Sequence, residues 1–418
     1  MIAVDAPSTS RPEPTTIVRT PLAAARLSHA AAIARPTRFT LDGDDALECH
    51  LELTCARILS GIRGVIPAPK LEAVLLGGGY GRGEGGVLRG PEGDRPYNDL
   101  EFDVALAGNR HVNEFRYHRR LEVLGEILTH LADVEVEFKI TSLAELAARP
   151  VSMFSYDLMA GHRLLWSQAP ARSLPGCDHH KCAESIPTEE ATRLLMNRCS
   201  GLLFARAELE REPFTPAAAD FARRNIAKVQ LACGDAVLTA CGRYHWSCRE
   251  RHHRLERLAA SAPWPWFDAL LRHHATGVEF KLHPVSGGIS RAALIALHRE
   301  VTALARQCWL CLEARRLGRV FPSARAYAED AGDQCPDAPV LHNFVLNFLA
   351  NGFRVRPHPS PWRHPRQRVF RSLALLLWEP ATFADPRLHR RLETELQTPA
   401  PSGGAGIAAY RALWRRVQ

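Results

Sequence analysis

In Tyr97-Asn98-Asp99-Leu100-Glu101-Phe102-Asp103-Val104 acidic and apolar positions alternate strictly from Asp99 onward. A repeat of two sends successive side chains to opposite faces of a strand. Asp99, Glu101 and Asp103 are therefore expected on one face, and Leu100, Phe102 and Val104 on the other. Residues 134–140 (VEVEFKI) alternate in the same way and predict a second strand, with Glu135, Glu137 and Lys139 on one face. Upstream, the apolar run 74–76 reads as a strand that enters a glycine-dominated loop over 77–86. A short helix, a turn at Gly161 and a last strand, within 152–168, are expected to close the sheet. Helical spacing marks residues 42–63, with Leu47, Leu51, Leu53, Ala56 and Leu59 as the apolar face and Pro67 and Pro69 as the stop. A second helix is expected over 118–132. From residue 189 onward the pattern is helical: 189–212 with Thr188 as N-cap and Pro213 as stop, then 220–243, 244–260, 290–316, 338–353, 369–379 and a tail helix after a Pro/Gly/Ser linker at 398–404. Residues 1–38 are rich in Pro, Thr, Ser, Ala and Arg and predict a mobile tail. The expected fold class is α+β. A small mixed sheet with flanking helices spans 40–168. A mostly α-helical domain spans 188–418, with a sub-boundary near 320–337.

Three carboxylates in a row repel one another unless cations sit against them, and hard oxygen ligands suit Mg²⁺. A glycine loop beside them offers backbone N–H groups to phosphate oxygens. A phosphate loop with metal-binding carboxylates is the equipment of two-metal phosphoryl or nucleotidyl transfer. A P-loop is excluded because no Gly-Lys-Ser/Thr follows the glycines. A dinucleotide fold is disfavoured because acids on a strand follow the glycines where a helix would be needed. The bland reading of the same stretch is a solvated hairpin.

The pair of motifs Gly78-Gly79-Tyr80-Gly81-Arg82-Gly83-Glu84 and Asn98-Asp99-Leu100-Glu101 resembles the nucleotidyltransferase superfamily that includes DNA polymerase beta and the aminoglycoside nucleotidyltransferases. The resemblance covers roughly residues 70–140. It implies transfer of a nucleoside monophosphate from an NTP to an acceptor hydroxyl, with release of pyrophosphate. Asp99 and Glu101 would hold two Mg²⁺ ions, with Glu137, preferred to Glu135, as third ligand or general base. Gly78 and Gly79 would cradle the β and γ phosphates, and Arg82 would assist the leaving group. Two positions depart from the family pattern: Gly79 stands for a serine and Glu101 for an aspartate. An alternative register puts Glu101 and Asp103 on the metals. Members of the superfamily carry a helical bundle against the catalytic domain, and Asn225, Lys228 and Asp235 share one face of a mostly apolar helix. Lys228 is accordingly expected on the triphosphate or the acceptor; a salt bridge with Asp235 or a solvated stripe is the alternative. Asp157 reads as a helix or turn cap.

At 418 residues, 46% hydrophobic and 23% charged, the chain has the composition of a soluble globular protein with two or three cores. A net charge of +8 favours anionic partners. Only five of the basic residues are Lys, and heavy Ala and Arg use fits a GC-rich bacterial genome. The eleven scattered cysteines read as reduced thiols in a cytosol. No signal peptide and no membrane span are expected. The cluster Cys177 to Cys182 and the paired histidines 252–253 and 273–274 lack zinc spacing. The Arg- and Pro-rich residues 354–371 read as a solvated linker, with phosphate and base binding as the alternative. The second functional class is a non-catalytic nucleotide or RNA binder, antitoxin-like. The acceptor is left open between a small alcohol, a protein hydroxyl and an RNA 3′ end.

Overall fold

Period-2 patterning builds a four-stranded mixed sheet. β1 (Leu71–Leu76) runs into a one-turn helix, α2 (Gly78–Gly81). A small hairpin, β2 (Val87–Leu88) and β3 (Arg95–Pro96), follows, then β4 (Leu100–Leu106), β5 (Val136–Thr141) and β6 (Arg163–Ser167). The sheet order is β5-β4-β1-β6. β1 is antiparallel to both β4 and β6, and β4 is parallel to β5. The computed structural model describes residues 38–169, 174–285, 287–351 and 361–417. All but the last residue of the tail expected over 1–38, and the part of the basic segment before residue 361, lie outside them.

Two long helices, α1 (Asp45–Val65) and α3 (Arg110–Ala132), cover one face of the sheet. Leu47, Leu51, Ile58 and Ile62 of α1 pack there with Val74 and Leu76 of β1 and Leu100, Phe102 and Val104 of β4. This corrects the expected face of α1, because Leu53 is 55% exposed. At 100° per residue the stripe that contains Leu47 and Leu51 continues through Cys55, Ile58 and Ile62, which leaves Leu53 on the far side. α3 is also longer than expected, because Asn109 caps it by accepting from the Val112 N–H. The opposite sheet face carries Ala73, Leu75 and Ala105 against α4 (Leu143–Ala148) and α5 (Met153–Gly161). Glu101 and Asp103, at alternate positions of β4, belong to that face by the same period of two.

The remainder is helical: α6 (Glu189–Glu210), α7 (Pro216–Ala240), α8 (Cys248–Ala259), α9 (Phe267–Leu282), α10 (Arg291–Leu317), α11 (Ala324–Glu329), α12 (Val340–Asn351), α13 (Arg366–Leu373) with a π-helical turn after it, α14 (Pro386–Leu396) and α15 (Gly403–Val417). One apolar core runs through α6, α7, α10, α13 and α15 around the fully buried Trp309. Thr188 makes no side-chain cap on α6. α8 starts at Cys248 rather than near 244, because Ser247 takes the cap position and accepts from the Glu250 N–H. No helix among the described residues is long and apolar enough to cross a membrane.

Candidate active site

The carboxylate row begins where β4 begins. The Gly77 N–H donates to the Glu101 carbonyl at 2.8 Å, which ties the glycine turn to the strand. Gly78 has φ +59°, a conformation that L side chains rarely adopt, and a Cβ built on it would lie 3.4 Å from Glu101 Oε1. The Glu101 carboxylate therefore lies against the turn. On the neighbouring parallel strand Glu137 stands in register with Glu101, and Lys139 with Asp103. Lys139 Nζ lies 3.3 Å from Glu101 Oε2, the offset of negative charge expected of it.

The electrostatics follow from this crowding. Burial, then the Glu101 charge, pushes the Asp99 carboxyl up. Burial, then the Asp99 charge, does the same to Glu137. Asp103 is 4% exposed, and burial with the Glu101 charge pushes it up to about 7 against the pull of Lys139. Asp99, Glu101 and Glu137 thus share one field of charge, while the more deeply buried Asp103 also borders the turn, its Oδ2 3.8 Å from a Cβ built on Gly77. Glu137 is half-buried and in register with Glu101, while Glu135 is exposed before the strand, which favours Glu137 as the third carboxylate.

Two cations from the helical region face this row. The side chains of Lys228 on α7 and Arg198 on α6 are both exposed, within the cleft. The protein crowded around Lys228, then Arg198 and Arg224, holds its pKa down while Asp99 and Glu101 pull it up. The same crowding lowers Arg198, with Asp235, Tyr244, Glu101 and Asp99 pulling the other way. Among the described residues neither makes a hydrogen bond or an ion pair. Arg198 escaped the sequence reading, because a lone Arg on a long helix carries no local signal. The polar stripe expected on α7 splits: Lys228 faces the acids, Asn225 donates to the Phe221 carbonyl, and Asp235 is buried against Arg251 at 2.7 Å and His274 at 3.2 Å.

The rest of the glycine motif serves the fold. The buried Tyr80 hydroxyl donates to the Gly86 carbonyl and accepts from the Tyr97 N–H, both at 2.9 Å. A Cβ on Gly79 would lie 2.9 Å from the Glu84 carbonyl oxygen, so a serine cannot enter without moving backbone. The glycine at this position is thereby built into this turn. Arg82, expected at the leaving group, pairs with Asp157 at 2.9 Å and donates to the Trp246 carbonyl. Asp157 is accordingly an ion-pair partner within α5; the cap is Ser152. Glu84 is buried and accepts from Ser247 Oγ at 2.5 Å and the Cys248 N–H at 2.8 Å, where it satisfies the start of α8. These contacts bridge more than 70 positions of sequence and no local pattern announces them.

All eleven cysteines are free. His180 is buried on the Leu146 carbonyl, and His179 bonds the Arg149 carbonyl. His252 stacks on His274 with ring centroids 5.4 Å apart. Among the described residues no three His, Cys, Asp or Glu side chains converge closely enough to hold a metal ion. The donor chemistry still fits a hard divalent ion: Glu101 and Glu137 are in register on adjacent strands, and Asp99 adds a third carboxylate whose pKa burial and the Glu101 charge raise, so all the donors are oxygen. No family model, curated protein or solved structure matches this chain.

Proposed function

We propose that the chain is a Mg²⁺-dependent nucleotidyltransferase that moves a nucleoside monophosphate from an NTP to an acceptor hydroxyl and releases pyrophosphate. One observation carries this reading: the Glu101 carboxylate lies against the Gly78 turn, with Asp99 and Glu137 in its field and Lys228 and Arg198 facing it. In this reading Asp99, Glu101 and Glu137 hold the two ions, which when bound supply positive charge for the phosphate oxygens. Gly78 presents backbone to the NTP phosphates, as does Gly79. Lys228 and Arg198 neutralise phosphate charge from the other wall of the cleft. Where Glu137 is the base instead of the third ligand, it would accept the acceptor hydroxyl proton, and burial with the Asp99 charge, which raises its proton affinity, supports that role. Arg82 has no part in this scheme, since its guanidinium is spent on Asp157 and Trp246. Eleven free thiols fit a cytosolic setting.

The Lys139–Glu101 contact favours a second reading, a non-catalytic nucleotide or RNA binder in which a lysine replaces an ion. Four labelled NTPs incubated with the chain, Mg²⁺ and cell extract separate the two. The enzyme transfers label to an acceptor and releases pyrophosphate only with the metal. A binder retains the nucleotide without turnover.

A further inference from the structure

Behind Lys228 and Arg198 a cavity of about 720 Å³ opens between α6, α7 and α15. Its lining carries five cations, Arg198, Arg211, Lys228, Arg411 and Arg415, against one carboxylate, Glu208. Glu208 lies 3.8 Å from Arg211. The other four cations have no acidic hydrogen-bond or ion-pair partner among the described residues. Gathering like charges around a concavity is costly without counter-charge. Phe204, Phe221 and Trp414 add aromatic surface among small and polar residues: Phe204 and Trp414 pack edge to face at 5.7 Å, and the Arg411 guanidinium lies 4.4 Å over the Phe204 ring.

We infer that this cavity is the acceptor site, and that the acceptor is an anion: a phosphate-bearing molecule with a flat ring, a nucleotide unit. The inference rests on the proposed nucleotidyl transfer for the word acceptor, but the binding itself does not. The donor phosphates are assigned to the glycine turn, on the sheet side of the carboxylates. No acid of the row lines the cavity. Lys228 and Arg198 stand on its lining, and their charges bear on Asp99 and Glu101, so an acceptor held there lies on the helical side of those two cations. Arginine beside an aromatic ring grips phosphate and stacks a base together. A polycationic acceptor, such as an amino sugar, is repelled by the same lining. Trp414 and Arg415 lie three and four positions after Arg411, on one face of α15, which is the spacing that would have flagged them in the sequence.

Titration calorimetry on the full chain, in EDTA so that no turnover intervenes, tests the site. The probes are AMP, a single-stranded RNA hexamer and spermine, with MgATP titrated separately. The expected result is that AMP or the hexamer binds and spermine does not, and that Arg411→Gln with Arg415→Gln weakens that binding about tenfold or more. MgATP affinity stays within about twofold in the same variant. Tighter binding of AMP identifies a free nucleotide as the source, and tighter binding of the hexamer a nucleic-acid end. If the double variant does not fold, the exposed Arg415→Glu alone replaces it. Failure of both anions to bind, binding of spermine, indifference to the substitutions, or an equal loss of MgATP overturns the proposal. Anion binding that meets these conditions in a chain that releases no pyrophosphate keeps the site and removes the transferase reading instead.

Discussion

Arg251 and Lys228 stand on neighbouring helices of one bundle and are treated in opposite ways. Arg251 on α8 is 2% exposed and held by Asp235 at 2.7 Å, and it also donates to the Tyr244 hydroxyl. Arg316 with Glu313 at 2.8 Å and Arg371 with Glu395 at 3.3 Å repeat the arrangement deeper in the bundle. Lys228, two turns from Asp235 along α7, has charge neighbours and no ion pair. Across from it Asp99 and Glu137 are pushed toward protonation by their own kind. Where only the fold is served, charge is matched by charge. In the cleft Glu101 is paired with Lys139, but Asp99, Glu137, Lys228 and Arg198 make no ion pair among the described residues, which is the arrangement the proposed charged ligand would complete.

That contrast can be broken at its strong end first. Arg251→Met leaves Asp235 buried with only His274, and should cost about 3–5 kcal/mol, read as a lower urea midpoint. A shift below about 1 kcal/mol would mean that the buried pair is ornamental. Next is Asp103, whose folded-state pKa of about 7 stands above the ordinary 3.8. The folded chain then binds a proton that the unfolded chain releases, so stability is greatest below pH 4 on this account and falls as pH rises from about 4 to 7. Asp103→Asn should flatten that slope and stabilise the chain at pH 8, by on the order of a few kcal/mol. An unchanged pH profile would show that Asp103 is ionised and paired. The smallest effect is expected of Glu84→Gln, which weakens the charge-assisted bonds to Ser247 and Cys248 and should cost about 1–3 kcal/mol. Thermal melts of this variant at pH 7 measure it.

The sheet was legible because burial on both sides of a strand writes itself into adjacent residues. Leu100, Phe102 and Val104 went to the helix-covered face and Glu101 and Asp103 to the other, as alternation requires. The parallel pairing that sets Glu101 opposite Glu137 was not legible, since register between distant strands leaves no mark on either. The glycine motif was half read. Gly78 meets the Glu101 carboxylate, but Gly79 packs on the Glu84 backbone, Arg82 and Glu84 turn to residues 157, 246, 247 and 248, and only the packed chain shows that. On α7 Asn225, Lys228 and Asp235 do share a face, but at different levels along the helix, and they do not meet one polar surface. Each finds a different neighbour, and only Lys228 looks onto the acids. Arg198 and the α15 side of the cavity were missed, because exposed basic residues on helices are ordinary until three helices bring them together.

The central claim is that Asp99, Glu101 and Glu137 act on an NTP. Pyrophosphate release from each of the four NTPs, with Mg²⁺ and cell extract, in the unmodified chain and in Asp99→Asn, tests it most directly. The account predicts Mg²⁺-dependent release with one or more NTPs, a loss of about a hundredfold or more in the variant, and an unfolding midpoint in the variant no lower than that of the parent. No release from the unmodified chain with any NTP, or equal release from Asp99→Asn, would contradict it.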